Sequence, residues 1–183
     1  MSAVVLAAAA APPAGRAAEP DPTATEYELK AAFLVRVALF VEWPAKAFEG
    51  PGSPLVFAVL GENPFDGLLE KSLAGKTIGG RRVELKHFKK AEEIGGCHVL
   101  FVARSEKGRL RHISAALRGK SILAVSDIDD FARKVGVIGF VLRENRVRLQ
   151  INPSAAARAG LQVSAKLLQL AEIVRDEPEE EGK

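Results

Sequence analysis

The sequence predicts an α/β protein with a mainly parallel sheet flanked by helices on both faces, finished by a C-terminal β-hairpin and helix. Three observations predict it. Short runs rich in Val, Leu, Ile and Phe recur at PLVFAVLG (54–61), CHVLFVA (97–103) and SILAVSD (121–127). Fully apolar runs of that length read as strands buried on both faces. Helix-starting residues stand between them, so the strands follow one another as βαβ units. Finally, VIGFVLRE and RVRLQIN flank Glu144-Asn145, a two-residue hairpin turn. The predicted architecture is Rossmann-like, without the glycine fingerprint of a nucleotide site.

The first element is a helix. Thr25-x-x-Glu28 forms a capping box, in which the threonine hydroxyl satisfies the Glu28 amide and the glutamate reaches back. The helix should run from Glu26 to about Glu42, where Pro44 pushes its predecessor out of the helical region. Glu26 and Lys30 form a favourable i,i+4 pair. Leu29, Phe33, Val37 and Phe40 line one face, and Leu34, Ala38 and Val41 a second. A helix apolar nearly all round is buried on more than one side. A membrane span needs roughly 20 apolar residues, and the run from Ala31 to Val41 is broken by Arg36 well short of that.

Asn63-Pro64 pairs an N-cap with proline at the first helical position and predicts a helix over 64–74. RRVELKHF (81–88) alternates enough to be a strand near an edge, and Ala91 to Ile94 has room for one helical turn. Ser105 should cap a helix to about Leu117, and Asp127 a short helix through Phe131. Asn152-Pro153 repeats the cap-plus-proline device. A last helix should carry Leu161, Ala165, Leu168 and Ala171 on one face.

With 183 residues the chain has room for one ordinary domain. Residues 1–18 read as a signal peptide, because a short Val/Leu/Ala run ends in Gly15-Arg16-Ala17, with small residues where cleavage needs them. The single domain then spans 19–174, and 175–183 is an acidic, Pro-broken tail with nothing apolar to bury. A formal charge of +3 without a dense basic block argues against nucleic acid. Arg81-Arg82 and Lys89-Lys90 read as solvated pairs. Cys97 is the sole cysteine, so no internal disulfide exists, and its strand context makes it a buried small hydrophobe.

Ligands of open parallel sheets sit beyond the carboxyl ends of the strands, so the loops there are the first place to look. GENPFDG, after the first strand, has neither the G-x-G-x-x-G spacing nor a P-loop lysine. Ser126-Asp127-Ile128-Asp129-Asp130 offers carboxylates for a hard cation, but capping a short helix accounts for them more simply. His87, His98 and His112 lack the close pairings of zinc sites, and His98 reads as a packed or hydrogen-bonded imidazole. No serine lies in a nucleophile elbow. The residues therefore predict no catalytic group, no metal and no cofactor.

KAAFLVRVALFVEWP, with its F-x-x-W-P end, resembles the opening helix of the YfiR family of bacterial periplasmic proteins. FAVLGENPF, CHVLFVARSE, SILAVSDIDDF and VIGFVLRENRVRLQINPSAAARAGLQVSAKLLQLA follow in the family's order, so the resemblance spans Glu26 to Ala171. Where the family has a Gly-Gly-hydrophobic step, this chain reads Lys134-Val135-Gly136-Val137. The resemblance implies a soluble periplasmic repressor. Its target would be the periplasmic region of an inner-membrane diguanylate cyclase, and an outer-membrane-associated partner could remove it. Phe33, Phe40, Trp43 and Pro44 are the candidate partner-binding residues, and the apolar helix implies a homodimer. The competing expectation is a periplasmic small-ligand-binding protein with a pocket near Gly61–Phe65 and Ser126–Asp129.

Overall fold

The computed structural model describes residues 22–144 and 146–177. The expected signal peptide, Asn145 and the end of the acidic tail lie outside them. The architecture is mixed α/β. Helix α1 (Pro22–Ala38) is followed by β1 (Val41–Glu42), β2 (Leu55–Leu60), α2 (Leu68–Leu73), β3 (Thr77–Ile78) and β4 (Arg81–Phe88). Then come β5 (Val99–Val102), α3 (Leu110–Leu117), β6 (Leu123–Ser126), α4 (Phe131–Lys134), β7 (Ile138–Arg143) and β8 (Arg146–Ile151). The chain continues through α5 (Pro153–Arg158), β9 (Gln162–Val163), α6 (Ala165–Leu168) and β10 (Glu172–Ile173).

Eight strands form one mostly parallel sheet in the order β10-β8-β7-β6-β5-β2-β4-β3. The antiparallel pairings are β7 with β8 and β3 with β4. All three predicted buried runs became strands of this sheet, and every residue of β2, β5 and β6 is buried. Alternate residues serve two apolar clusters. Leu55, Phe57 and Val59 of β2 join α1 in one, while Val56, Ala58 and Leu60 join Ile113 of α3 and Phe131 of α4 in the other. The hairpin also forms as expected, with Arg143 opposite Arg146 across the two-residue turn.

Several boundaries differ from expectation, each for a local or tertiary reason. Thr25 is already helical, since α1 begins at Pro22, so the Thr25/Glu28 pair does not mark its start. The helix ends at Ala38 rather than near Glu42. Val41 and Glu42 instead pair antiparallel with Val163 and Gln162, and Ser164 N–H donates to Phe40 O at 2.9 Å. Burial of α1 is one-sided: Ala31, Leu34, Val35, Val37 and Ala38 are buried, whereas Leu29, Ala32, Arg36 and Leu39 are exposed.

The Asn63-Pro64 device does not open α2. Asn63 Oδ1 accepts from Phe65 N–H at 3.0 Å, and the left-handed Asp66 and Gly67 (φ 45° and 81°) delay the helix to Leu68. Ser105 caps nothing, because Arg104–Arg109 is a 3-10 turn and the Ser105 hydroxyl accepts from Glu62 N–H. The predicted final helix is broken in two. Gly160, at φ 70°, closes α5, and Ser164 then caps α6 by accepting from Leu167 N–H at 3.3 Å. Asn152-Pro153 does start α5, with Asn152 Oδ1 accepting from Ala155 N–H at 3.1 Å.

Candidate functional site

Asp127 is the largest departure from the sequence reading. It directly follows β6, where a capping role was expected, yet α4 is preceded by Asp130 in a left-handed conformation (φ 57°). Asp127 is instead 2% exposed and gathers cations. Its Oδ2 accepts from Lys30 Nζ at 2.6 Å and Tyr27 Oη at 2.8 Å, and Arg104 Nε lies 3.1 Å away. Lys30, itself 2% exposed, also meets Glu26 at 2.5 Å. Burial, and next the hydrogen bond to Asp127, push the Tyr27 hydroxyl above its ordinary pKa. The tyrosine therefore stays a neutral donor. This cluster clamps the first half of α1 across the carboxyl end of β6.

The strand-end loops are filled by the protein itself. Gly61, at φ 89°, lets β2 turn beneath the loop after β5, since a Cβ there would meet Ser105 Oγ at 2.5 Å. Phe65 is fully buried and packs edge-on against Phe101 at 4.8 Å and against Tyr27 at 5.7 Å. The acidic run is dispersed as well. Asp129, 85% exposed at its side chain, lies 4.0 Å from Lys107, while Asp130 lies 3.6 Å from Lys134. A cavity of about 690 Å³ does occur, but at the amino-terminal ends of β6 and β7, between Arg118, Arg133 and Arg158 over a floor that includes Ile122. Cations there complement the carboxyl ends of α3, α4 and α5, and Arg158 is already held by Asp176 through two bonds of 2.7 and 2.8 Å.

All four residues expected to bind a partner are half-buried. Phe33 packs near Phe140 with ring centroids 6.3 Å apart. Phe40 packs against the core beneath α1. Trp43 donates from Nε1 to His98 O at 3.2 Å, and Pro44 leads into a 3-10 turn over Ala45–Ala47. The apolar side chains that α1 leaves open are Leu29, 43% exposed, and Leu39, just past its end, 57% exposed. With Ala32 and Arg36 they form one stripe at helical spacing. The sequence analysis did not single out this stripe.

The imidazole of His98 is packed, as its strand context predicts. Nδ1 accepts from Val56 N–H at 3.0 Å, and Nε2 lies 3.0 Å from Ala47 O. Phe48 stacks on the ring with centroids 4.4 Å apart, and the Arg81 guanidinium lies 3.7 Å from the centroid of the Phe48 ring. Arg81, expected to be solvated, also donates to the carbonyls of Gly50, Pro51 and Ser53. Beside it, Cys97 is buried, and that burial pushes its thiol up to about 12. His87 and His112 lie apart from it, near Asn63 and Glu92 respectively.

A family model described as YfiR/HmsC-like matches residues 27–172, from the second turn of α1 to β10. The chain belongs to the YfiR/HmsC-like family. A comparison with curated proteins found no match. The match takes in α1, the Asp127 cluster, the His98 contacts and the hairpin together. In this YfiR/HmsC-like chain, Val135 sits at a negative φ of −136°, outside the left-handed region that favours glycine. Gly136 cannot be replaced easily, since a Cβ there would lie 2.0 Å from Phe131 Cε1.

Proposed function

We propose that this protein is an exported periplasmic regulator that binds the periplasmic region of an inner-membrane diguanylate cyclase and represses it. Family membership over residues 27–172 is the observation that carries this reading. On it, the sheet is Rossmann-like and covered by helices on both faces, and the regulator acts by contact rather than by chemistry of its own. Among the described residues no helix is long and apolar enough to cross a membrane. The buried clamp of Lys30 on Asp127 holds α1 in one orientation, and its open stripe of Leu29, Ala32, Arg36 and Leu39 is the surface assigned to a second chain. Phe33, Phe40, Trp43 and Pro44, each half-buried, are proposed to contribute to the same partner-binding surface.

Repression by contact requires the bound regulator to favour one conformation of its target, because equal affinity for both shifts nothing. An outer-membrane-associated partner competing for the same regulator would relieve repression. A homodimer formed through the α1 stripe is part of this reading. Deleting the gene should raise cellular cyclic-di-GMP, and restoring it without residues 1–18 should fail to lower it again. Unchanged cyclic-di-GMP in a deletion strain that expresses the cyclase would remove the proposal. The small-ligand reading is less well supported, because Gly61, Phe65 and Asp127 are packed against other parts of the chain.

A further inference from the structure

We propose that His98 is an acid-sensitive pin, which holds the Trp43–Glu49 segment onto the sheet and lets it go when the imidazole takes up a proton. The hydrogen bonds assign the tautomer. Nδ1 accepts from Val56 N–H and so carries no proton, while Nε2 faces the Ala47 carbonyl and so carries one. Only the neutral ring satisfies both contacts. An imidazolium has a proton on each nitrogen, and its Nδ1–H would face the Val56 N–H donor to donor.

Val56 has no easy escape. It is 5% exposed and sits in β2, which is paired to β4 on one side and β5 on the other. The ladder between β2 and β5 begins at Phe57 and Val99, and the His98 ring extends it by one acceptor. A buried amide that loses its acceptor bears the full desolvation cost. The protonated ring is therefore the group that moves. Its departure removes the donor to Ala47 O and the stacking partner of Phe48, while the Arg81 bonds to Gly50, Pro51 and Ser53 keep the following residues anchored.

The surrounding charges favour the neutral form. β4 contributes Arg81 and Lys86, both cationic, and β2 and β6 present the apolar Val56 and Leu123. The neighbouring Cys97 thiol is neutral, and Lys46 and Glu49 of the held segment are exposed. Burial first, with Arg81 and Lys86 adding to it against the bond to Ala47, holds the imidazole below its ordinary pKa. Release therefore requires a pH below the usual histidine range. The pin does not depend on which partner the protein binds.

Trp43, the chain's one tryptophan, donates to the His98 carbonyl and reports on the segment. The full chain should be titrated from about pH 8 to about pH 5, following Trp43 fluorescence, far-UV circular dichroism and histidine ring resonances together. The expected result is a reversible red shift of Trp43 emission, with its midpoint below about 6.5 and coincident with the His98 resonance, while the far-UV signal stays constant. The shift should vanish in His98→Gln and persist in His87→Gln/His112→Gln. A Trp43 signal that stays flat over that range overturns the pin. So does a His98 resonance titrating at or above the ordinary value, a shift that survives His98→Gln, or simultaneous loss of the far-UV signal. Should His98→Gln fail to fold, the coincidence of the Trp43 and His98 titrations in the unmodified chain decides the matter.

Discussion

Lys30 and Asp127 stand 97 positions apart in sequence, yet their side chains meet at 2.6 Å with only 3% and 1% of their surfaces exposed. Breaking such a buried pair leaves one charge without compensation, which costs about 3–5 kcal/mol. Asp127→Ala should therefore destabilise the protein by that amount in urea titration. A Lys30→Met/Asp127→Leu double variant should recover most of the loss. Asp129→Ala, at an exposed position, should stay within about 0.5 kcal/mol of the parent. A stable Asp127→Ala single variant would show that α1 is not held by this pair.

Leu39 and Phe40 are adjacent but should respond oppositely. Leu39 is exposed, so Leu39→Glu should leave unfolding within about 0.5 kcal/mol. Phe40 packs against the core, so Phe40→Glu should cost on the order of 2 kcal/mol for a carboxylate in apolar surroundings. If the α1 stripe joins two copies, light scattering should give a dimer for the parent and a monomer for the folded Leu39→Glu protein. A monomeric parent at micromolar concentration would contradict the homodimer.

Gly136→Ala places a methyl 2.0 Å from Cε1 of the fully buried Phe131. Overpacking of this kind costs about 1–3 kcal/mol, and thermal unfolding should show it. The neighbouring Val135→Gly variant relieves no strain, since Val135 has a negative φ of −136°, and should lower stability instead.

Asp176 gives a pH signature. The bond from Arg158, and then that from Asn152, hold its carboxyl below the ordinary carboxylate value. Because the folded pKa is the lower one, the stabilisation is complete above the unfolded value and fades as pH falls through the folded value. Asp176→Asn should flatten the acid limb of a stability–pH profile below about pH 4. An unchanged limb would show that the pair contributes nothing in solution.

The buried strands were legible because a strand covered on both faces is apolar nearly throughout: β2 and β5 are so at every residue, and β6 up to Ser126, whose hydroxyl is satisfied by Val102 O. Asn152 was legible because its cap is local. Gly160 and Ser164 were also visible as a helix stop and a helix start, but the apolar spacing from Leu161 to Ala171 outweighed them. The rest depends on long-range contacts. Nothing near Val41 reveals that Val163 will pair with it and end the helix early. Nothing in the run Ser126–Asp130 distinguishes Asp127, which recruits a lysine from α1, from Asp129, which faces solvent. The exposure along α1 was not legible for the same reason, since nothing local tells that Phe33 and Phe40 are half-buried while Leu29 and Leu39 stay exposed.

The most direct test of the account mixes the mature protein with the purified cyclase and follows both association and cyclic-di-GMP synthesis. The account predicts a saturable complex whose formation lowers synthesis, with both effects weakened by the folded Leu39→Glu variant. No association, or a complex that leaves synthesis unchanged, would contradict it.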